Sequence, residues 1–258
     1  MSIKVAAPLV LGLLMLGLWE GAVRALAVPP YILPGPILVA ETLVADWSTL
    51  LPSLVVTLEI TLAALAAAVV VGGLLAVLFS LSRWVELSLF PYAIILQVTP
   101  IVAIAPLIIV WANDVDLSLL ICAWLVAFFP ILSNTILGLR SVDPNLISLF
   151  DLYGAGRWRT LLHLRLPAAL PYFLGGLRIS GGLALIGAVV AEFVAGTGGS
   201  ASGLAWRILE SSYQLKIPRM FAALVLVSAT GIAIFLLLTL LSHLLLRHWH
   251  ESALAPER

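Results

Sequence analysis

The sequence predicts an all-α membrane protein with about six transmembrane helices, each requiring about 20 mostly apolar residues. Three observations predict it. The 258-residue chain is 62% hydrophobic and only 10% charged, with a mean hydropathy of +1.17, where a soluble domain is roughly half apolar and a quarter charged. Apolar stretches of spanning length recur near 6–27, 54–80, 88–111, 117–139, 175–195 and 221–246. Lysine and arginine, few as they are, gather in alternate connections. The formal net charge is zero, so no basic excess points to nucleic acid. Without a repeat or a shift in composition, residues 1–258 read as a single membrane domain.

Taken in order, the opening MSIKVAAPLVLGLLMLGLWEGAVRALA has the lysine, apolar run and small-residue end of a secretory signal. Because further spans follow, it is read as a retained first helix. A proline-rich loop, VPPYILPGP, leads to a short helix. The second stretch carries Ala64, Ala68, Gly72 and Ala76 on one helical face, which suits close helix packing. The third contains Pro91, Pro100 and Pro106. Pro91 fits a first turn, whereas proline farther in kinks or breaks a helix, and in lipid such breaks survive only where protein or a cavity satisfies the freed backbone. Cys122, in the fourth stretch, is the single cysteine and reads as a small buried apolar residue.

Counting back by fours from Glu192 in the fifth stretch gives Ala188, Ala184, Ser180 and Gly176. A charge inside a span costs roughly 2.5–3.5 kcal/mol at the helix centre, so it faces protein or water. Two readings fit this row: a seam that opens for a solute, or a polar residue fixing helix packing. Glu20 and Glu59 are placed near span ends, at the interface or in interhelical hydrogen bonds. The glycine cluster GTGGSASG follows an apolar helix and reads as a flexible loop. His248 and His250 lack further ligands, and no metal site is assigned.

Positive charge in short loops marks the cytoplasmic side. With the amino terminus inside, Lys4, Arg83, Arg140, Arg157, Arg159, Arg165, Arg178, Arg247 and Arg258 are cytoplasmic, and Arg24, Arg207, Lys216 and Arg219 are outside. Both termini are then cytoplasmic, as is the long connection 140–171. In it, Asp143 before Pro144 is an N-cap followed by proline at the first helical position, and a short helix runs to about Tyr153. Gly154 permits a turn. GRWRTLLHLRL starts a second helix that Pro167 and Pro171 break, giving a helix-turn-helix across the membrane surface. Anionic headgroups alone would account for the arginines. They would not account for a fixed turn, which suits the docking of a soluble partner.

GAGRWRTLLHLRLPAALPYFLGGLRI resembles the cytoplasmic coupling motif of permease subunits in bacterial ABC importers, a glycine followed by a spaced Leu-Pro. ILPGP at 32–36 and GLALIGAVVAEFVAG at 182–196 resemble the branch that imports nitrate, sulfonates, taurine and a thiamine pyrimidine precursor. The resemblance covers nearly the whole chain. It implies the type I importer permease fold, with a coupling helix between spans 4 and 5. The coupling residues it implies are Ser148, Leu149, Phe150, Asp151, Gly154, Ala155, Arg157, Trp158, Leu166 and Pro167. Ser148, Leu149 and Phe150 stand where the family has Glu-Ala-Ala.

The implied partners are a separate ABC ATPase that binds ATP and magnesium, a periplasmic or lipid-anchored solute-binding protein, a second permease copy as a homodimer, and membrane lipid. The implied location is the bacterial inner membrane. No cofactor is expected on this chain, and GxxxxGK[ST] is absent from it. A membrane-embedded enzyme would need a nucleophile beside a base, but Ser180 has no histidine within the spans. An ion-coupled carrier would show paired charges and inverted halves, neither of which is evident.

Overall fold

The computed structural model describes residues 3–195 and 202–247. In chain order the helices are α1 (Ile3–Ala25), α2 (Pro36–Ala45), α3 (Trp47–Leu81), α4 (Arg83–Val98), α5 (Ile101–Ala112), α6 (Val115–Arg140) and α7 (Pro144–Leu152). There follow α8 (Arg157–Thr160), a π-helical turn (Leu161–Arg165), α9 (Leu166–Ala195), α10 (Leu204–Tyr213) and α11 (Ile217–Leu246). Among the described residues, 5 helices are long and apolar enough to cross a membrane, and 6 if the bent pair α4 and α5 forms one span. His248, His250 and most of the glycine cluster lie outside the described residues.

Residue chemistry sets the boundaries. Asn113 ends α5 in the left-handed conformation, and the Asp114 carboxylate then accepts from Leu117 N at 2.9 Å to start α6. The acidic turn is therefore a stop and a start in two residues.

The third span is not one kinked helix. It folds as α4 and α5, which meet at 105°. Pro100 has no N–H to donate and forces Thr99 out of the helical region, to φ −73° and ψ 123°, while Thr99 Oγ1 donates to Ile95 O at 2.6 Å. Pro91 does not sit in a first turn either, because α4 begins at Arg83, two turns earlier.

Pro167 and Pro171 break nothing: the helix runs from Arg157 to Ala195. The π turn absorbs the defect. Its wider ring, with Leu166 N donating to Leu161 O, loosens the ladder directly before Pro167, where the proline ring would otherwise meet the preceding turn. The second arm of the expected surface helix-turn-helix is thus the beginning of the fifth span.

The chain divides into two compact units, whose boundaries fall inside α3, at the end of α9 and inside α11. In the first, Met1–Val56 with Gly196–Ala229, a small core forms around Val39, Leu50, Leu204 and Leu226. Arg219 Nε donates to Asp46 at 2.6 Å, and Arg207 Nε to Ser53 Oγ at 2.9 Å. Glu20 pairs with Arg24 at 2.6 Å and accepts from Ile37 N at the start of α2, the interhelical bond expected of it.

The second unit is Thr57–Ala195 with Thr230–Arg258. Its spine is the packing of α6 on α9. A Cβ on Gly176 would lie 2.7 Å from Pro130 O, and one on Gly187 2.8 Å from Ala123 Cα, so the two backbones approach as only glycine permits. Gly72 of the second-span row likewise faces Ile131, as its packing reading expects.

Candidate functional site: the α7 turn and the buried Glu192

Asp143 Oδ1 accepts from Asn145 N at 2.8 Å, Pro144 occupies the first helical position, and α7 ends at Leu152. Gly154 then takes φ +66°. Its N–H donates to Asp151 O at 3.0 Å and that of Ala155 to Phe150 O at 2.9 Å, the paired bonds of a Schellman cap. A Cβ at Gly154 would meet nothing within 4 Å. Glycine is needed there for its backbone conformation and not for space.

No residue of α7 is buried. Leu152 is 84% exposed, Tyr153 82% and Trp158 65%, with Leu146 and Leu149 also open. The element is a capped helix and turn that exposes apolar side chains. Ser148, at the first position of the Glu-Ala-Ala triplet, donates to Pro144 O at 3.0 Å within its own helix. The fold gathers Ser148 to Trp158 into one hairpin. Leu166 and Pro167 it does not: they belong to the long helix beyond the π turn, where Leu166 packs toward the core.

The Glu192 row is placed differently. Ser180, Ala184, Ala188 and Glu192 are all buried, with Glu192 only 2% exposed. Ser180 Oγ donates to Ala127 O at 2.6 Å, and Thr57 Oγ1 donates to Glu192 Oε1 at 2.7 Å. Burial of all four shows the row closed in this conformation, as either packing or a shut seam requires. Thr57 was missed in the sequence, although a signal existed. Ser53, Thr57 and Thr61 repeat every four residues in α3, and all three are fully buried.

Glu59 lies about three turns inside α3, which starts at Trp47, and it is exposed. Arg178 is half-buried on α9, and among the described residues its Nε finds no acceptor.

Residues 68–249 match the family described as binding-protein-dependent transport system inner membrane component. The chain belongs to that family. It is a permease subunit of an ABC importer. The permease is 36% identical to the riboflavin transport system permease protein RibX of Chloroflexus aurantiacus, over 93% of this chain and 88% of that one. It is 33% identical to the formylaminopyrimidine transport permease protein ThiX of Halalkalibacterium halodurans, over 95% and 96%. To the taurine transport system permease protein TauC of Escherichia coli it is 30% identical, over 72% and 70%. A crystal structure of an amino acid ABC transporter with histidines superposes with a TM-score of 0.64 at 17% identity, covering 80% of the permease and 97% of that chain. At that identity the likeness shows the fold, the type I importer permease architecture.

Proposed function

We propose that two copies of this permease form the pathway for a small solute delivered by an external binding protein, and that a separate ATPase drives it by docking on α7 and the Gly154 turn. One observation carries the docking: a Schellman-capped hairpin whose apolar side chains, Leu152, Tyr153 and Trp158 foremost, are open to solvent. Scattered apolar side chains on a surface need no explanation, but several large ones gathered on one short capped element favour a contact there. ATP-driven closure of the ATPase pair moves the two hairpins together, and the difference in ATP affinity between the two states biases the spans. ATP and magnesium sit on that partner, and this chain performs no covalent step.

The cytoplasmic side is the α7 side, by the arginine bias, with both termini there and the chain in the bacterial inner membrane.

For the solute, a neutral nitrogen heterocycle is the reading best supported. The relatives named for riboflavin and formylaminopyrimidine match over more than nine tenths of the permease, whereas those named for taurine and for aliphatic sulfonates in Bacillus subtilis match over 72% and 70%. Few cations within the spans agree with it.

A crosslinking experiment tests the coupling. A cysteine introduced at Leu149 in a Cys122→Ala background should crosslink to an ATPase subunit in native membranes, and ATP hydrolysis by the recovered complex should rise with binding protein loaded with a pyrimidine or flavin. Recovery of no ATPase would end the importer reading of the hairpin. Stimulation by a sulfonate-loaded binding protein alone would end the heterocycle reading.

A further inference from the structure

Beside the coupling hairpin, the second unit holds a cavity of about 560 Å³ whose wall carries three arginines: Arg83 at the start of α4, Arg157 at the start of α8, and Arg165 in the π turn. Arg165 Nη1 donates to Ser80 O at 3.4 Å. Among the described residues, none of the three has a carboxylate within ion-pair distance. Asp151 is the one acid in the wall and forms no such pair, and nearby Glu86 is taken by Arg140. Three guanidiniums against one carboxylate leave the wall with an excess of positive charge matched to a phosphate-type anion, which arginine binds through paired N–H donors.

A second cavity, about 670 Å³ and almost wholly apolar, lies between α3 and α9. Val70, Gly73 and Val77 of α3 face Leu166, Leu170 and Phe173 of α9 across it. Val77 is one helical turn from Ser80, in the wall of the basic cavity, and Leu166 adjoins Arg165. A free phosphate would fill the first cavity and leave the second empty. A molecule with an anionic head and a hydrocarbon tail fills both.

We infer that the basic cavity and the apolar groove together hold one anionic phospholipid, its phosphate among Arg83, Arg157 and Arg165 and an acyl chain between α3 and α9. Basic pockets at helix ends on the cytoplasmic side are suited to anionic headgroups. The inference rests on the proposed placing of α7 at the cytoplasmic face but not on the solute assignment, and its lipid-binding readout needs no ATPase. It places a lipid against the wall formed by Ile147, Asp151 and Ala155 of the coupling hairpin.

Native mass spectrometry of the full-length permease in detergent tests it, with phosphatidylglycerol, phosphatidylcholine and glycerol phosphate titrated separately. Phosphatidylglycerol should bind about tenfold more tightly than phosphatidylcholine, and glycerol phosphate should not be retained. The double variant R83Q/R157Q, altered at two exposed positions, should remove most of that preference. Gly73→Leu should weaken phosphatidylglycerol with every arginine present, since a Cβ there meets nothing within 4 Å and the added side chain fills the groove without disturbing packing. Equal retention of the two lipids, an unchanged preference in R83Q/R157Q, or Gly73→Leu binding like the parent would overturn the site. Glycerol phosphate retained as well as the lipid would reassign the basic cavity to a free anion.

Discussion

Glu192 is a carboxylate among apolar helices, and Thr57 satisfies one of its oxygens through a hydroxyl on α3. A buried acceptor that loses a donor costs about 1–3 kcal/mol. Thr57→Val keeps the shape and removes the hydroxyl, so a fall in thermal melting temperature in detergent by that equivalent is expected, and an unchanged melt would show that the bond contributes nothing. Ser180→Ala should cost less, because Ala127 O keeps the donor that α6 itself provides. Glu192 was visible in the sequence as a charge at the end of a small-residue row, but its partner was not. Thr57 and Glu192 are 135 residues apart, and no local pattern couples positions at that separation.

At the scale of elements, the α7 hairpin was the most legible part of the chain, because its signals are local. Asp143-Pro144 starts a helix and Gly154 ends one through interactions within a few residues. Gly154→Ala should therefore cost roughly 1 kcal/mol of hairpin stability through backbone strain alone, with Gly154→Asn costing less. Solute transported per ATP hydrolysed should drop in the alanine variant reconstituted with its ATPase, while the chain still folds. If that ratio holds, the turn is not what transmits ATPase closure. Prolines were read less well. Pro100 breaks a span, whereas Pro167 passes inside a helix. A proline's outcome depends on whether the neighbouring backbone can rearrange, as Thr99 and the π turn do in different ways. Sequence marks the defect and leaves the repair open.

Across the whole molecule, the two compact units use different chemistry. The first pairs a small apolar core with Arg219–Asp46 and the bond from Arg207 to Ser53, and the second relies on backbones in contact along α6 and α9. Because Gly187 faces Ala123 Cα, a backbone atom that cannot swing aside, Gly187→Val should destabilise the fold by about 1–3 kcal/mol, read as a lower melting temperature, and Gly187→Ala by less. Equal melting of the valine variant would mean that the seam relaxes freely. The sequence alone determined that the chain is helical and membrane-embedded, and where the short helix α7 begins and its glycine turn falls, since hydropathy, caps and turns act over a few residues. Only the tertiary structure decided that the Glu192 row is packed against α6, that Thr57 answers Glu192, and that three arginines from separate elements share one cavity with an apolar groove beside it. Those are meetings of side chains far apart in the chain, fixed by how helices pack rather than by what any helix contains.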